Sequence, residues 1–416
     1  MTVGRHPANQ SESSGQQRRL AEPARQSSPK VEHFVPFSPT TNLSPAETLA
    51  LGSGEIGLAS DGASSHCAQR WLEDELGTAK AYLTPSGTSA LEVAMLACQL
   101  GPGDEVIVPS FTFTSTVNAF ANLGATPVFV DVREQDLCID ADLVEEAISD
   151  RTKAILAVHY AGTIAPMEEI ASIAREYDLV VVEDAAQALL SEAYGKRAGS
   201  FGAVACLSFH HTKNVSCGEG GAVLVNDPRM IEPIEISREK GTDRTSYLRG
   251  SVDKYTWRSR GTSGVLAEPL AALLATRLQN AHAITRARLD AVALYRALLS
   301  PLETAGKIRL PDFDPNNAGN GHFYYLLART SEERQALLVH LAESGVQATT
   351  HYEPLHTSPH GKAFGRTGSS MGVTEYASAR LLRLPTWPGV IQHLNHIAAS
   401  IFGFFGHSFD PRESAS

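Results

Sequence analysis

Cysteine, tryptophan and methionine are scarce in this chain, with five, three and five residues among 416. Cys67, Cys98, Cys138, Cys206 and Cys217 are odd in number, scattered and without paired metal spacing. That pattern argues against a disulfide scaffold or a structural metal and fits a reducing, cytoplasmic setting. No apolar run is long enough to span a bilayer, and the N-terminus lacks a signal-peptide core, so neither insertion nor export is expected. Positive charge is not in excess either: 35 Lys and Arg stand against 46 Asp and Glu, a formal net charge of −11. A general nucleic-acid binder is disfavoured, and an anionic small ligand would need a local basic patch. No internal repeat of solenoid period is found. What remains, 43% hydrophobic and 19% charged residues, is the composition of an ordinary soluble globular enzyme.

Residues 1–30 are rich in Ser, Gln, Arg and Pro and read as a disordered tail. Beyond them strands and helices alternate. Strands are expected at 79–84, 105–108, 126–130, 154–159, 179–184, 203–207 and 222–225, with helices at 67–76, 88–100, 114–123, 143–148 and 167–176. Strands apolar on both faces and separated by helices predict an α/β fold with a mostly parallel central sheet. After Arg260 the texture changes to one long helical pattern over 266–299, a strand at 322–328, and helices at 332–342 and 391–402. The expected organisation is a large domain over 31–260, then a small C-terminal α/β domain over 261–416 that includes the linking long helix.

The most informative stretch is Ser208-Phe209-His210-His211-Thr212-Lys213-Asn214, leading into Gly218-Glu219-Gly220-Gly221. It puts one lysine in a turn between two expected strands. Lysine forms Schiff bases with carbonyl compounds, and pyridoxal 5'-phosphate (PLP) is the commonest cofactor held in this way. Two further segments end strands at the same expected edge, where ligands bind in open parallel sheets. In Thr84-Pro85-Ser86-Gly87-Thr88-Ser89 a glycine turn with hydroxyl side chains opens a helix, whose free N–H groups and dipole favour a phosphate. In Glu183-Asp184-Ala185-Ala186-Gln187 a carboxylate closes a buried strand. A pyridinium nitrogen is a suitable partner for Asp184, and Gln187 could donate to the cofactor's ring oxygen. Each piece has a plain structural explanation on its own, as a solvated lysine, an N-cap or a capping Asp. The order phosphate loop, acid, hydroxyl, lysine across one sheet is much more specific.

Four motifs, Pro85-Ser86-Gly87-Thr88-Ser89-Ala90-Leu91, Pro109-Ser110-Phe111-Thr112-Phe113, Glu183-Asp184-Ala185-Ala186-Gln187 and the lysine segment, resemble the PLP-dependent nucleotide-sugar aminotransferases of the DegT/StrS family. The resemblance covers about 53–406 and implies the aspartate aminotransferase-like fold, PLP fold type I. It makes Lys213 the Schiff-base lysine and proton shuttle, pairs Asp184 with the pyridine nitrogen and sets Gln187 on the ring hydroxyl. Gly87, Thr88, Ser89 and Ser208 would hold the phosphate, and Phe113 would stack on the ring. Many members carry an Asn that reaches the neighbouring subunit's phosphate; Ser263 stands nearest that place here. The family assembles as dimers with both subunits lining each site, so a homodimer is expected.

A narrower likeness rests on 238–258 together with His351-Tyr352-Glu353-Pro354-Leu355-His356 and Leu382-Arg383-Leu384-Pro385. These are similar to transaminases acting on C4 of dTDP-4-keto-6-deoxy-D-glucose. Residues 238–260 hold seven basic and three acidic side chains, a local positive patch for a diphosphate. Lys240, Arg249 and Tyr255 are the candidate substrate residues there, and His356 is a candidate lining of the sugar pocket. The implied reaction has two half-reactions, with L-glutamate as amino donor and a nucleotide-linked keto sugar as acceptor. Attack at C3, and a PLP-binding regulator without catalysis, are the alternatives. Relatives that deoxygenate sugars carry histidine where Lys213 stands. No metal site is expected from His159, His210 or His211, which show no useful spacing with Cys or Asp.

Overall fold

The computed structural model describes residues 34–38, 42–52, 60–317 and 319–410. The tail expected over 1–30 lies outside them. Strands β1 (Lys80–Thr84), β2 (Glu105–Pro109), β3 (Thr126–Val130), β4 (Thr152–Val158) and β5 (Val180–Asp184) follow in chain order. A short hairpin comes next, β6 (Glu192–Ala193) with β7 (Lys196–Arg197), then β8 (Val204–Ser208) and β9 (Gly221–Val225). The C-terminal part adds β10 (Ile308–Arg309), β11 (Tyr324–Ala328), β12 (Arg366–Thr367) and β13 (Leu381–Leu384).

Eight of these strands form one sheet in the order β1-β9-β8-β5-β4-β2-β3-β12. Every neighbouring pair is parallel except the two made by β9, which runs antiparallel to β1 and β8. Successive side chains of a strand face opposite sides, and the core divides accordingly. Leu83, Ile107, Ile155, Val181 and Leu207 pack on one face beneath the helices Ala63–Leu76, Met167–Glu176 and Glu268–Leu278. Tyr82, Val106, Leu156, Val182 and Cys206 pack on the other beneath Gly87–Ala97, Thr114–Ala121 and Ile231–Arg238. The mostly parallel sheet with helices on both faces is the architecture expected from the apolar runs.

A second core lies between the three-stranded antiparallel sheet β10-β11-β13 and the helices Ala281–Thr304, Ser331–Glu343 and Leu394–Phe404. Its membership departs from a single division at residue 260. Val35 belongs to this core and forms a parallel bridge with Val346, while β12 returns to the edge of the large sheet beside β3. Helix Glu268–Leu278 packs with the large-sheet core. The single helix expected over 266–299 is two, Glu268–Leu278 and Ala281–Thr304, separated by a turn at Gln279-Asn280 in which Asn280 N–H donates to Arg277 O at 3.0 Å. Apolar periodicity continues through the turn, so the break has no signature in the pattern. Leu381–Leu384, quoted above only as a motif, is the strand that brings Arg383 to the cavity described next.

Candidate active site

β1, β2, β4, β5 and β8 share one direction, so their carboxyl ends meet at a single edge of the sheet. There, with segments of the C-terminal unit, they enclose a cavity of about 670 Å³. Open parallel sheets bind ligands at this edge because helix N-termini and strand-end side chains converge on it.

One end of the cavity is built for an anion. Ser86 is extended and caps the helix Gly87–Ala97, accepting Ser89 N–H at 3.0 Å. The first N–H groups of a helix have no intrahelical acceptor, and Gly87 and Thr88 line the cavity. A Cβ on Gly87 would stand 2.7 Å from the Ser208 Cβ. Only glycine lets the helix end approach Ser208 this closely, and the hydroxyl of Ser208 completes a phosphate-sized cradle. Thr88 Oγ1 lies 2.8 Å from Ser115 Oγ, on the same lining. Ser89, expected among the phosphate ligands, is hydrogen-bonded through its own hydroxyl to Ser86 at 3.1 Å and does not line the cavity.

Asp184 closes β5 with 6% of its surface exposed. Its carboxylate accepts Thr116 Oγ1–H at 2.8 Å and Ala186 N–H at 3.1 Å, and it forms no ion pair with a protein cation among the described residues. A buried carboxylate with neutral donors alone leaves room for one positively charged partner, which a protonated ring nitrogen would be. Ala161 N–H donates to Gln187 Oε1 at 2.8 Å, and that fixes the amide with Nε2 outward, 3.0 Å from the Tyr352 hydroxyl. Gln187 therefore presents a donor to the cavity, as a ring oxygen requires. Phe113 is 57% exposed at the mouth, its ring centroid 6.3 Å from that of Tyr352. These residues fit PLP: a cradle for its phosphate, an acid for its nitrogen, an amide for its oxygen and an amine for its aldehyde.

The amine is Lys213. Burial drives its pKa from 10.5 to about 8; the Asp184 carboxylate opposes the shift and the Arg383 guanidinium adds to it. Only the uncharged amine attacks an aldehyde. For cofactor-free protein mixed with PLP, the capture rate should rise about tenfold per pH unit up to about 8 and then level off, whereas an ordinary lysine would keep gaining to 10.5. Stopped-flow absorbance of the PLP band checks this; a rise continuing unchanged beyond pH 9 contradicts it.

Three parts of the site had no individual role in the sequence reading, although Glu183, His351, Tyr352 and Arg383 stood in the quoted motifs. Thr116, which orients Asp184, is itself 2.9 Å from Thr112 Oγ1. Beneath the strand ends, Glu183 accepts N–H donors from Gly199 at 2.8 Å, Phe201 at 2.7 Å and Gly202 at 2.6 Å. It also meets His159 Nε2 at 2.8 Å, and since Ala165 N–H donates to His159 Nδ1, the ring proton sits on Nε2. Glu183 stood in the quoted motif, but only the fold shows it tying the 199–202 turn to the 159–165 loop under Asp184. The third part is the group Tyr352, His351, His322 and Arg383 on the C-terminal side of the cavity. Burial pushes the Tyr352 phenol up, the two histidines down and the Arg383 guanidinium down.

The remaining expected residues do not line this chain's own cavity. Lys240 and Arg244 pair with Glu239, Arg249 with Glu235, Arg258 with Asp243 and Arg238 with Asp61. The positive patch expected over 238–260 is thus largely neutralised by acids, two of which, Asp61 and Glu235, lie outside the segment and are brought to it by the fold. Tyr255 is exposed beside Tyr247, with centroids 5.7 Å apart, and Ser263 forms an antiparallel bridge with Glu239. His356 is held by Ser110 Oγ at 2.7 Å and Glu375 at 3.3 Å. His210, His211 and Glu219, which the spacing did not connect, converge with one ligand atom each within 4.8 Å of the others. Glu219 comes from the far end of the turn that carries Lys213, beyond the reach of any short spacing rule.

Residues 57–402 match the model of the DegT/DnrJ/EryC1/StrS aminotransferase family. A dTDP-3-amino-3,4,6-trideoxy-alpha-D-glucose transaminase of Streptomyces venezuelae is 36% identical over 306 residues, 73% of this chain and 76% of the relative. A pleiotropic regulatory protein of Geobacillus stearothermophilus is 33% identical over 325 residues, 77% of this chain and 84% of the relative. Among solved structures, NtdA of Bacillus subtilis with bound cofactor PMP superposes with a TM-score of 0.79 at 27% identity, over 90% of this chain and 86% of that one.

Proposed function

This chain belongs to the DegT/DnrJ/EryC1/StrS aminotransferase family, and from that premise we propose that it moves the amino group of L-glutamate to C4 of dTDP-4-keto-6-deoxy-D-glucose, giving a dTDP-4-amino-4,6-dideoxyhexose. It is a PLP-dependent sugar transaminase. The observation that carries the residue roles is the convergence of Lys213, Asp184, Gln187, Ser208 and the Gly87–Ala97 N-terminus on one cavity. Bound there, PLP supplies an electron sink for the carbanion at the reacting carbon and carries the amino group from donor to acceptor.

The protein's own tasks follow from the geometry. The helix N-terminus with Thr88 and Ser208 fixes the phosphate. Asp184 holds a positive charge at the ring nitrogen, steadied by Thr116 and Ala186. Gln187 Nε2 donates toward the ring oxygen, and Phe113 covers the ring from the mouth. Lys213 Nζ would be the group that moves a proton from the donor's Cα, and that delivers one at C4 of the sugar in the second half-reaction. A pKa near 8 suits both directions, since the amine can be base and acid near neutrality.

C4 specificity draws on the likeness of 238–258 and of the Leu382-Arg383-Leu384-Pro385 strand to C4-acting transaminases. Transfer at C3 is the second reading, favoured by the 36% identity to the Streptomyces transaminase named for a 3-amino sugar. The reading includes a homodimer. Tyr247, Leu248, Tyr255 and Trp257 are exposed on the segment that also holds Lys240, Arg249 and Ser263, and a second copy would carry that segment to its neighbour's cavity. The test is direct. PLP-loaded protein should bleach with L-glutamate, and NMR of the product made from dTDP-4-keto-6-deoxy-D-glucose should show nitrogen on C4. Nitrogen on C3 from a 3-keto isomer, with no product from the 4-keto sugar, overturns the C4 assignment. Colour unchanged by any amino donor favours a binding protein instead.

A further inference from the structure

The loop that carries Lys213 also gathers three side chains with no part in the reaction described above. Ser208 at the end of β8 pairs with Gly221 at the start of β9, and the residues between them close into a wide turn. Its two limbs are joined through the backbone. Phe209 N–H donates to Gly220 O at 2.7 Å, Cys217 N–H donates to Phe209 O at 3.0 Å, and His210 bridges Gly218. Gly218 holds a φ of +91°, which a residue with a side chain rarely adopts. Glu219 is thereby set against His210, while the His211 ring lies beside that of His210 with centroids 3.9 Å apart. One ligand atom from each of His210, His211 and Glu219 falls within 4.8 Å of the other two. Among the described residues no other three His, Cys, Asp or Glu side chains converge in this way.

The separation of these groups decides what they suit. Glu219 Oε1 stands 3.5 Å from His210 Nε2, longer than the about 2.7–2.9 Å of a charge-assisted hydrogen bond. Two ligands each about 2.0–2.1 Å from one tetrahedral ion stand about 3.3–3.4 Å apart. The pairs of His159 with Glu183 and of His282 with Glu75 are closer, 2.8 and 3.0 Å, and gather no third ligand. His210 Nδ1 lies 2.9 Å from Thr212 Oγ1. With its proton on Nδ1, the imidazole donates to that hydroxyl and turns the lone pair of Nε2 toward Glu219. An outer acceptor of this kind fixes the tautomer of a metal-binding histidine. The His211 ring has no hydrogen-bond partner among the described residues, so its nitrogens are unclaimed.

We propose that His210, His211 and Glu219 form a binding site for one divalent transition-metal ion of the zinc class at the rim of the cavity. The ligand types choose the class. Imidazole nitrogen suits Zn²⁺, Co²⁺ and Ni²⁺, whereas Mg²⁺ and Ca²⁺ are held by oxygen. Three protein ligands leave a fourth position to water. The His211 and Glu219 side chains are exposed, so small rotations close the remaining distance without disturbing the core. His210, Thr212 and Glu219 line the same cavity as Lys213. A bound ion therefore ties the two limbs of the loop together beside the amine and sets positive charge at the rim. The ligands are distinct from the residues that fit PLP, so the site stands or falls independently of the transaminase reading.

The test is a titration of PLP-loaded protein, stripped of metal with a chelator and dialysed, with zinc chloride in a calorimeter. The wild type should take up one ion per chain in a saturable step, and magnesium chloride should give no heat of binding. Cobalt chloride should add the visible bands of tetrahedral coordination to the cofactor's absorbance. H211A and E219Q should each weaken zinc binding by at least about 100-fold, and T212V, which removes only the outer partner, by about 10-fold. Both ligand variants change exposed side chains, so they should keep the wild-type circular dichroism. Zinc should raise the Tm of the wild type and leave that of H211A where it is. Unchanged zinc affinity in H211A and E219Q, equal binding of magnesium, or loss of the zinc step on replacing the exposed Cys67 by Ser overturns the proposal. Calorimetry reads the metal alone, so a failure of the transamination assay leaves this result intact.

Discussion

Lys213→Ala should abolish turnover, with kcat lower by at least about 10⁴-fold, the upper range for one group serving in proton transfer. The effect is large because one nitrogen has three tasks: anchor for the aldehyde, base at the donor carbon and acid at the cofactor carbon. No neighbour can take them over. His210 turns its Nδ1 to Thr212 Oγ1 at 2.9 Å and its Nε2 toward Glu219, and the Tyr352 phenol is pushed up by burial. The phosphate cradle is built from other segments, so the variant should still bind PLP noncovalently and keep its circular dichroism. Small added amines should restore part of the activity. Steady-state assay with L-glutamate measures the loss; turnover within tenfold of the wild type would remove Lys213 from the mechanism.

Asp184→Asn comes second, with an expected loss of about 10²–10³-fold in kcat, the range for removing one preorganised electrostatic group. Asparagine keeps the shape. Its oxygen still accepts Ala186 N–H, and the Thr116 hydroxyl can rotate to serve the amide, so the fold should hold. What is lost is the negative charge that keeps a ring nitrogen positive, and with it the electron sink. The absorbance of the bound cofactor should change along with the rate. A variant with an unchanged spectrum and a loss below tenfold would mean that the ring nitrogen lies elsewhere.

The two predictions differ in how far the sequence alone could carry them. Lys213 and Asp184 were legible because each closes or follows an apolar strand, and parallel strands bring their carboxyl ends to one edge. Strand order did not need to be known for that conclusion, only direction. Gly87 was legible for the same reason, although the demand for glycine comes from Ser208, 121 positions on, whose Cβ leaves no space for another. Thr116 was hidden because a threonine in the first turn of a helix has no pattern that marks it as an acid's partner, and its role exists only where that helix meets the end of β5.

The basic segment shows the opposite case. Charge counting over 238–260 foresaw a patch, but the fold places Asp61 and Glu235 against Arg238 and Arg249. Opposite charges that meet across 177 positions, as Arg238 and Asp61 do, leave no trace in a local window.

By itself, the order of apolar runs and turns along this chain determined the class of fold, the edge where chemistry gathers and the amine and acid that meet there. Periodicity and strand direction are local properties, and burial of apolar side chains enforces them wherever the chain goes. The tertiary structure decided which charges are spent on one another and which remain for a ligand. That depends on distances between segments far apart in sequence, since the energy of a buried ion falls or rises with its nearest neighbours and not with its place in the chain.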